Sequence, residues 1–243
     1  MSEPHLLEVC VDSPAGLLAA VGSGAGRIEL CAALALSGLT PSPGLMALAA
    51  RQACPSFAMI RPRPGDFVYS PADVDVMRGD IDAARGAGLA GVVLGASRPL
   101  GDLDEEVLSR LVEHAAGLGL TLHRAFDLVP DFEIALERAV ALGFQRVLTS
   151  GGKPTAVLGA AQIADLVIQA RGRIAIMAGS GLDAGNVAAF VRRTGVREVH
   201  ASCGGPTPAS GGERAQALGF VSSHLRDTRA ESVAAMIRAL EAL

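Results

Sequence analysis

Short apolar, β-branched runs alternate with longer segments of helical spacing along the whole chain. The runs predict eight strands, over residues 6–12, 27–31, 56–62, 91–97, 120–126, 146–151, 173–181 and 198–202. Helices are predicted between several strands and at the C-terminus, over residues 104–118, 131–142, 154–170, 184–194 and 228–242. Such alternation of strands and helices is typical of βαβ units that form a parallel sheet.

The number of strands decides the predicted architecture. Eight βα units in 243 residues fit a single-domain α/β protein of the (β/α)8 or TIM-barrel type, whose usual length is about 250 residues. A doubly wound open sheet is the alternative, but it normally carries a glycine-rich phosphate loop after the first strand. The sequence there is Asp12-Ser13-Pro14. We therefore expect one barrel domain over 1–243, with 203–227 as an irregular loop region before the last helix.

Composition and charge narrow the choice of partners and location. Half of the residues are hydrophobic, and the formal net charge is −4 with no basic cluster, so nucleic acid is not an expected partner. No apolar run is long enough for a membrane helix and no secretory signal pattern is present, so no membrane partner is expected. Four cysteines without a C-x-x-C pair indicate reduced thiols in a cytoplasmic protein.

Strand parity predicts a polar barrel interior. Side chains of a strand alternate between the interior and the helix layer, and setting the aliphatic residues against the helices directs ionisable or thiol groups inward from five strands. The inward groups with predicted catalytic roles are Glu8, Glu29, Arg61, His123 and His200. An unpaired buried charge is costly, so we expect these groups to pair with one another, with water or with a ligand. The two acids can face the three bases. The alternative is an internal salt-bridge network that only fills the barrel.

The loops after the strands add candidate binding groups, because barrel sites lie at the carboxyl ends of strands. Arg63 and Asp66 follow strand three in a Pro-Gly loop, and arginine binds carboxylate or phosphate through paired N–H groups. The same two residues could instead pair with each other and brace the loop. The spacing of His123 and Asp127 allows an oriented acid–base pair, which makes Asp127 a sixth catalytic candidate.

Glycine-rich strand ends predict a site for a small anion. Glycine allows a ligand to approach bare backbone N–H groups closely. The candidates for substrate binding at these ends are Ser150, Gly151, Ser180, Gly181 and Ser202. The alternative is that the glycines only make tight turns.

Two cysteines form a candidate metal site. Cys10 and Cys31 lie near the ends of adjacent predicted strands and share the inward parity. Two thiolates without a third ligand suit Cu(I), whereas structural zinc requires four ligands. Both could instead be small buried apolar residues. Cys54 precedes strand three at the opposite end of the barrel, and Cys203 follows strand eight at the rim of the site.

Several of these motifs together resemble the CutC family, whose members are described as copper homeostasis proteins. The matching segments are LLEVCVDS (6–13), RIELCAAL (27–34), SGLTPSPGL (37–45), MIRPRPGDFVYS (59–70), HRAFD (123–127), LTSGG (148–152) and EVHAS (198–202). The resemblance implies a cytoplasmic, homo-oligomeric (β/α)8 barrel with a copper-related role and no organic cofactor. It also implies Cys10 and Cys31 as the Cu(I) ligands.

Two functional hypotheses follow from the sequence. The first is a copper homeostasis protein that binds Cu(I) through paired cysteines at the barrel mouth. The second is a TIM-barrel enzyme, such as an isomerase, aldolase or hydrolase, that acts on a small phosphate- or carboxylate-bearing substrate. The expected partner is accordingly a copper ion or a small anionic molecule. An inert scaffold would require every interior charge to be satisfied by groups of the protein.

Overall fold

A computed structural model describes residues 4–206, 212–219 and 226–243. Eight parallel strands close into a barrel in chain order: β1 (Leu6–Val11), β2 (Arg27–Leu30), β3 (Ser56–Met59), β4 (Gly91–Leu94), β5 (Gly119–Leu122), β6 (Arg146–Thr149), β7 (Ala175–Gly179) and β8 (Glu198–Ala201). The predicted TIM-barrel class is confirmed, and all eight strands lie where the sequence predicts them. Most of them end a few residues earlier than predicted, because the residues that follow belong to the loops of the site.

Helices cover the outside of the barrel. They are α1 (Pro14–Gly22), α2 (Pro43–Ala49), α3 (Pro71–Ala87), α4 (Glu105–His114), α5 (Phe132–Ala141), α6 (Ala160–Ala170), α7 (Val187–Thr194), α8 (Gly212–Ala217) and α9 (Ala230–Glu241). The hydrophobic pattern predicts α4 to α7 and α9. It does not predict α1 to α3, which begin alike: a serine side chain accepts a backbone N–H and proline takes the first helical position.

The segment 203–227 differs from the irregular loop that the sequence predicts. It contains α8 and two short antiparallel strands, β9 (Gly204–Pro206) and β10 (Arg226–Thr228). Residues 207–211 and 220–225 of the predicted loop lie outside the described residues. The two strands form a ribbon beside the barrel mouth, and the Ser13 hydroxyl at the start of α1 donates to Asp227 at 2.9 Å.

The alternation of side chains follows the predicted parity. Val9, Ile28 and Ala58 are fully buried in the apolar layer between barrel and helices, while Glu8 and Arg27 lie in the interior and hydrogen bond there. A small apolar cluster fills another part of the interior and consists of Cys31, Phe57, Met59 and Val93. Among the described residues, no helix has the length and apolar character needed to span a bilayer.

Candidate functional site

A cavity of about 1300 Å³ opens at the carboxyl ends of the strands. The predicted site residues that line it are Cys10, Glu29, Arg61, His123, Asp127, Ser180, Gly181, His200 and Ser202. Other predicted residues are not part of its lining: Glu8, Cys31, Arg63, Asp66, Ser150 and Gly151. Strand parity therefore identifies several of the polar side chains that line the cavity, while several predicted loop residues have other roles.

A buried ion network forms the floor beneath the cavity. The Arg27 guanidinium bonds to Glu8 and Glu198, and Arg146 Nε lies 3.3 Å from the Glu198 carboxylate. Burial alone would raise the pKa of Glu8, but hydrogen bonds from His200 and Arg27 lower it to about 2. Glu8 is thus ionised at neutral pH and has fixed cationic and N–H partners on both sides.

The imidazole of His200 connects this network to the cavity. Its Nδ1 lies 2.8 Å from Glu8 Oε1, and its Nε2 lies 3.8 Å from Glu29 Oε2. Burial opposes the charged form of His200, but its interactions with the neighbouring Cys10, Glu29 and Glu8 raise its pKa well above the usual value. The ionised Glu8 therefore receives the Nδ1–H bond, and Nε2 is directed toward Glu29 and Cys10.

Cys10, Glu29 and His200 bring three potential metal-ligating atoms together. Their ligand atoms lie within 4.8 Å of one another, and all three residues are buried. The β1–β2 register places Cys10 opposite Glu29. Cys31 lies outside this trio, but its thiol donates to Glu29 Oε2 at 3.4 Å. Burial and the Glu29 charge raise the pKa of the Cys31 thiol well above its usual value.

Arg61 and His123 depart from the expected pairing of interior acids and bases. Glu8 and Glu29 approach His200 instead, and neither Arg61 nor His123 has an ion pair with a carboxylate in the described ranges. Of the pairings that the sequence allows, the one between these two bases and the glutamates does not form. Parity places all these groups inside the barrel, but it does not determine which of them meet.

The anticipated contact between His123 and Asp127 does not form either. His123 Nδ1 accepts the backbone N–H of Ala125 at 3.1 Å. Asp127 accepts hydrogen bonds from groups after β6, including the Thr149 hydroxyl at 2.6 Å and the Ser150 N–H at 3.0 Å. Its carboxylate thus organises the loop after β6.

The remaining predicted loop residues also have identifiable contacts. Arg63 lies 3.3 Å from Asp66 and 3.3 Å from Asp73. Its contacts therefore match the alternative in which Arg63 pairs with Asp66 and braces the loop. The Ser180 hydroxyl donates to Pro154 O at 2.8 Å, and the Ser202 hydroxyl accepts the Gly204 N–H at 3.3 Å. Ser150 and Gly151 belong to the loop that Asp127 organises.

Phe67 and Gly95 complete the surroundings of His123, and sequence reasoning assigned neither a role. The Phe67 ring lies 4.7 Å from the His123 ring and 5.1 Å from the Arg61 guanidinium carbon. A Cβ atom added at Gly95 would lie 2.5 Å from two ring atoms of His123. An aromatic residue inside a polar Pro-Gly loop was an available signal for Phe67, whereas Gly95 resembles any strand-end glycine.

We expect Gly95→Ala to lower the free energy of unfolding by about 1–3 kcal/mol, the usual cost of overpacking a buried site. The added methyl group would force the His123 ring to move. Urea unfolding followed by circular dichroism measures the change. Gly79→Ala is the matched control, because Gly79 is an exposed position in α3 with open space around it, and a small gain in stability is expected there. An equal change in the free energy of unfolding in both variants would contradict this account of Gly95.

The fold and the cavity define a class of protein: a TIM barrel with a buried cluster of thiol, imidazole and carboxylate at its strand ends. The sequence model of the CutC family matches residues 5–205. The chain therefore belongs to the CutC family.

Individual relatives support this assignment over nearly the full length. A CutC protein from Caulobacter vibrioides is 60% identical over 240 residues, which is 98% of each chain. One from Sinorhizobium medicae is 56% identical over 238 residues, which is 98% of this chain and 97% of the relative. The crystal structure of CutC from Streptococcus agalactiae, whose name assigns it to copper homeostasis, is 33% identical with a TM-score of 0.78. It matches 82% of this chain and 98% of that chain.

Proposed function

We propose that this protein binds Cu(I), with the thiols of Cys10 and Cys31 as the ligands and the imidazole of His200 as a further donor. The observation that carries the proposal is the buried trio at the barrel mouth, in which the ligand atoms of Cys10, Glu29 and His200 lie within 4.8 Å. Copper homeostasis, which the name of the S. agalactiae relative states, is the role in which such a site would act.

The chemistry of the donors fits Cu(I) better than a hard cation. Thiolate sulfur selects Cu(I), and imidazole also suits copper, whereas calcium and magnesium prefer several oxygen ligands. Glu29 is the one hard donor in the trio. We assign it a supporting role, because both Cys10 and Cys31 lie beside it.

The floor network holds His200 in the orientation that a metal ligand needs. A ligating histidine usually donates its other ring N–H to a carboxylate, which fixes the ring. Glu8 takes this position at 2.8 Å from His200 Nδ1, and Arg27 fixes Glu8 in turn. His200 Nε2, once it loses its proton, is then the nitrogen that faces the ion.

Glu29 is placed to receive the proton that a thiol loses when copper binds. Metal binding to cysteine requires the thiolate and therefore releases a proton. The Cys31 S–H bond points at Glu29 Oε2. When that bond breaks, the proton forms an O–H bond on Glu29. Burial raises the pKa of Glu29, which favours this transfer.

The proposal places the protein in the cytoplasm. All four cysteines are free, and Cu(I) and reduced thiols both require a reducing compartment. No organic cofactor is part of the proposal. The homo-oligomeric assembly implied by the family resemblance stays a prediction.

Replacing both Cys10 and Cys31 with serine is expected to abolish tight Cu(I) binding. Each single replacement removes a proposed ligand and should weaken binding by more than roughly 10–100-fold, the usual cost of losing a residue that only supports a ligand. The measurement is competition with a chromophoric Cu(I) chelator under anaerobic, reducing conditions. Glu29→Gln keeps the side-chain shape and should weaken binding less than either cysteine variant.

Cys54→Ser is the matched control for these variants. Cys54 precedes β3 at the amino end of the strands, and its thiol donates to Ala25 O at 3.1 Å. Serine should preserve that contact and leave Cu(I) affinity unchanged. The proposal fails if the double variant competes for Cu(I) as well as the parent protein does.

A further inference from the structure

Arg61 is a buried cation that forms no ion pair with any carboxylate of the described residues. Its side chain lines the cavity, yet the residue is only 5% exposed. Nη1 donates to the carbonyls of Leu36 and Gly38, and Nη2 donates to the carbonyl of Gly65. Nε is buried and has no hydrogen-bond partner in the part of the chain that the structure describes. Three of the five guanidinium N–H groups thus fix the side chain, and two remain for a ligand.

His123 presents a second unused donor to the same cavity. Its Nδ1 accepts the Ala125 N–H at 3.1 Å, so the ring is neutral and carries its proton on Nε2. Nε2 is buried and has no partner within residues 4–206, 212–219 and 226–243, and the residue is 3% exposed. Burial and the nearby Arg61 charge lower the pKa of His123 to about 3, which agrees with a neutral ring.

One aromatic ring holds both donors in place. The Phe67 ring contacts the His123 ring in a tilted arrangement, at 4.7 Å between ring centroids, and lies 5.1 Å from the guanidinium carbon of Arg61. Gly95 leaves room for the His123 ring on its other side. Because other groups of the protein already fix both side chains, their free N–H groups are preorganised to bind an acceptor.

We propose that Arg61 and His123 together bind the carboxylate group of a small molecule that enters the barrel mouth. A buried polar group without a partner is costly, and a ligand oxygen would satisfy both free donors at once. Among the described buried residues, Arg27 is satisfied by Glu8 and Glu198, which leaves Arg61 as the cation to be neutralised.

The charge of the site favours a carboxylate over a phosphate. Arg61 supplies a single positive charge, and His123 is a neutral donor. A carboxylate carries one negative charge and binds guanidinium N–H groups side by side. A phosphate would add excess negative charge to a cavity that also contains Asp12 and Glu29. The inference goes beyond Cu(I) binding, since its residues follow β3 and β5 while the copper donors belong to β1, β2 and β8.

The test uses the full-length, copper-free protein labelled with 15N-histidine. Acetate, pyruvate and lactate are titrated as monocarboxylates, and inorganic phosphate and sulfate as the other anions. The carboxylates should shift the His123 Nε2 resonance in a saturable manner, with weaker effects from phosphate and sulfate. His123→Asn assigns the resonance among the five histidines.

Variants then test the two donors by ligand-observed NMR. In His123→Asn the amide oxygen can still accept the Ala125 N–H, but the Nε2–H group is gone, so carboxylate affinity should fall at least about tenfold. Arg61→Lys keeps the positive charge, but lysine lacks the forked N–H donors of arginine. Carboxylate affinity should therefore fall by a similar factor in this variant. Arg173→Gln is the control: this arginine pairs with Glu137 outside the cavity lining, and carboxylate affinity should not change.

Three results would overturn the proposal. These are carboxylates that leave the His123 resonance unmoved, a His123→Asn variant that binds them as tightly as the parent, and phosphate that binds more tightly than every carboxylate. Loss of Cu(I) binding in the cysteine variants has no bearing on any of them, because the titration uses copper-free protein.

Discussion

Arg27→Met is expected to lower the free energy of unfolding by about 3–5 kcal/mol, the usual cost of breaking a buried ion pair. Arg27 is 4% exposed and bonds to both Glu8 and Glu198. Methionine has a similar length but no charge, so both carboxylates lose their shared cation. Glu8 is fully buried and retains only its contact with His200. Urea unfolding at neutral pH measures the loss.

Arg173→Met is the matched control for Arg27→Met. Arg173 also forms hydrogen bonds to a carboxylate through two nitrogens, at 2.8 and 2.6 Å from Glu137. Both side chains are well exposed, at 39% and 55%, so water screens this pair and its loss should cost far less stability than the loss of Arg27. A similar loss of stability in the two variants would show that burial does not determine the strength of the Arg27 network.

Acid is expected to destabilise the protein through His123. In the folded chain its pKa is lowered to about 3 from the usual 6.5, so the unfolded chain binds a proton more readily. The free energy of unfolding that depends on neutral His123 is therefore present in full above pH 6.5, and it is lost as the pH falls toward 3. A shift of this size corresponds to about 5 kcal/mol, as an order of magnitude.

His123→Asn isolates this effect. Glu8, whose pKa is lowered to about 2, also loses stabilisation in acid, but it does so in the parent and the variant alike. Urea unfolding of both proteins between about pH 7 and about pH 5, a range in which most carboxylates stay ionised, gives the difference directly. As the pH falls below 6.5, the free energy of unfolding should decrease less in the variant than in the parent. Parallel stability curves would contradict burial of a neutral His123.

The strands were predictable because their side-chain period is short and regular. Val9, Ile28 and Ala58 face the helices, and this parity fixes the inward direction of their neighbours. The helices α1 to α3 were missed even though a serine–proline pair begins each of them, at Ser13, Ser42 and Ser70. The serine cap and the following proline were the sequence features that could have predicted these helices, because their hydrophobic spacing is not distinctive.

The pairing of interior groups could not be predicted from parity. Parity states that a side chain enters the barrel, but contacts depend on height and on the register between neighbouring strands. The register places Cys10 opposite Glu29, and Cys31 therefore lies one layer higher. Similarly, only three-dimensional structure shows that carbonyls after β2 and β3 anchor Arg61 while Asp127 serves the loop after β6.

The buried ion network also bears on how the barrel folds. Glu8 and His200 are 192 positions apart in sequence, and Arg27 and Glu198 are 171 apart. These bonds form only when the first and last strands meet, which makes closure a non-local and slow event. A partly built barrel would hold Glu8 and Arg27 in its interior before Glu198 and His200 arrive. Open-sided intermediates are therefore penalised, and the network favours cooperative folding of the whole ring over stable half-barrels.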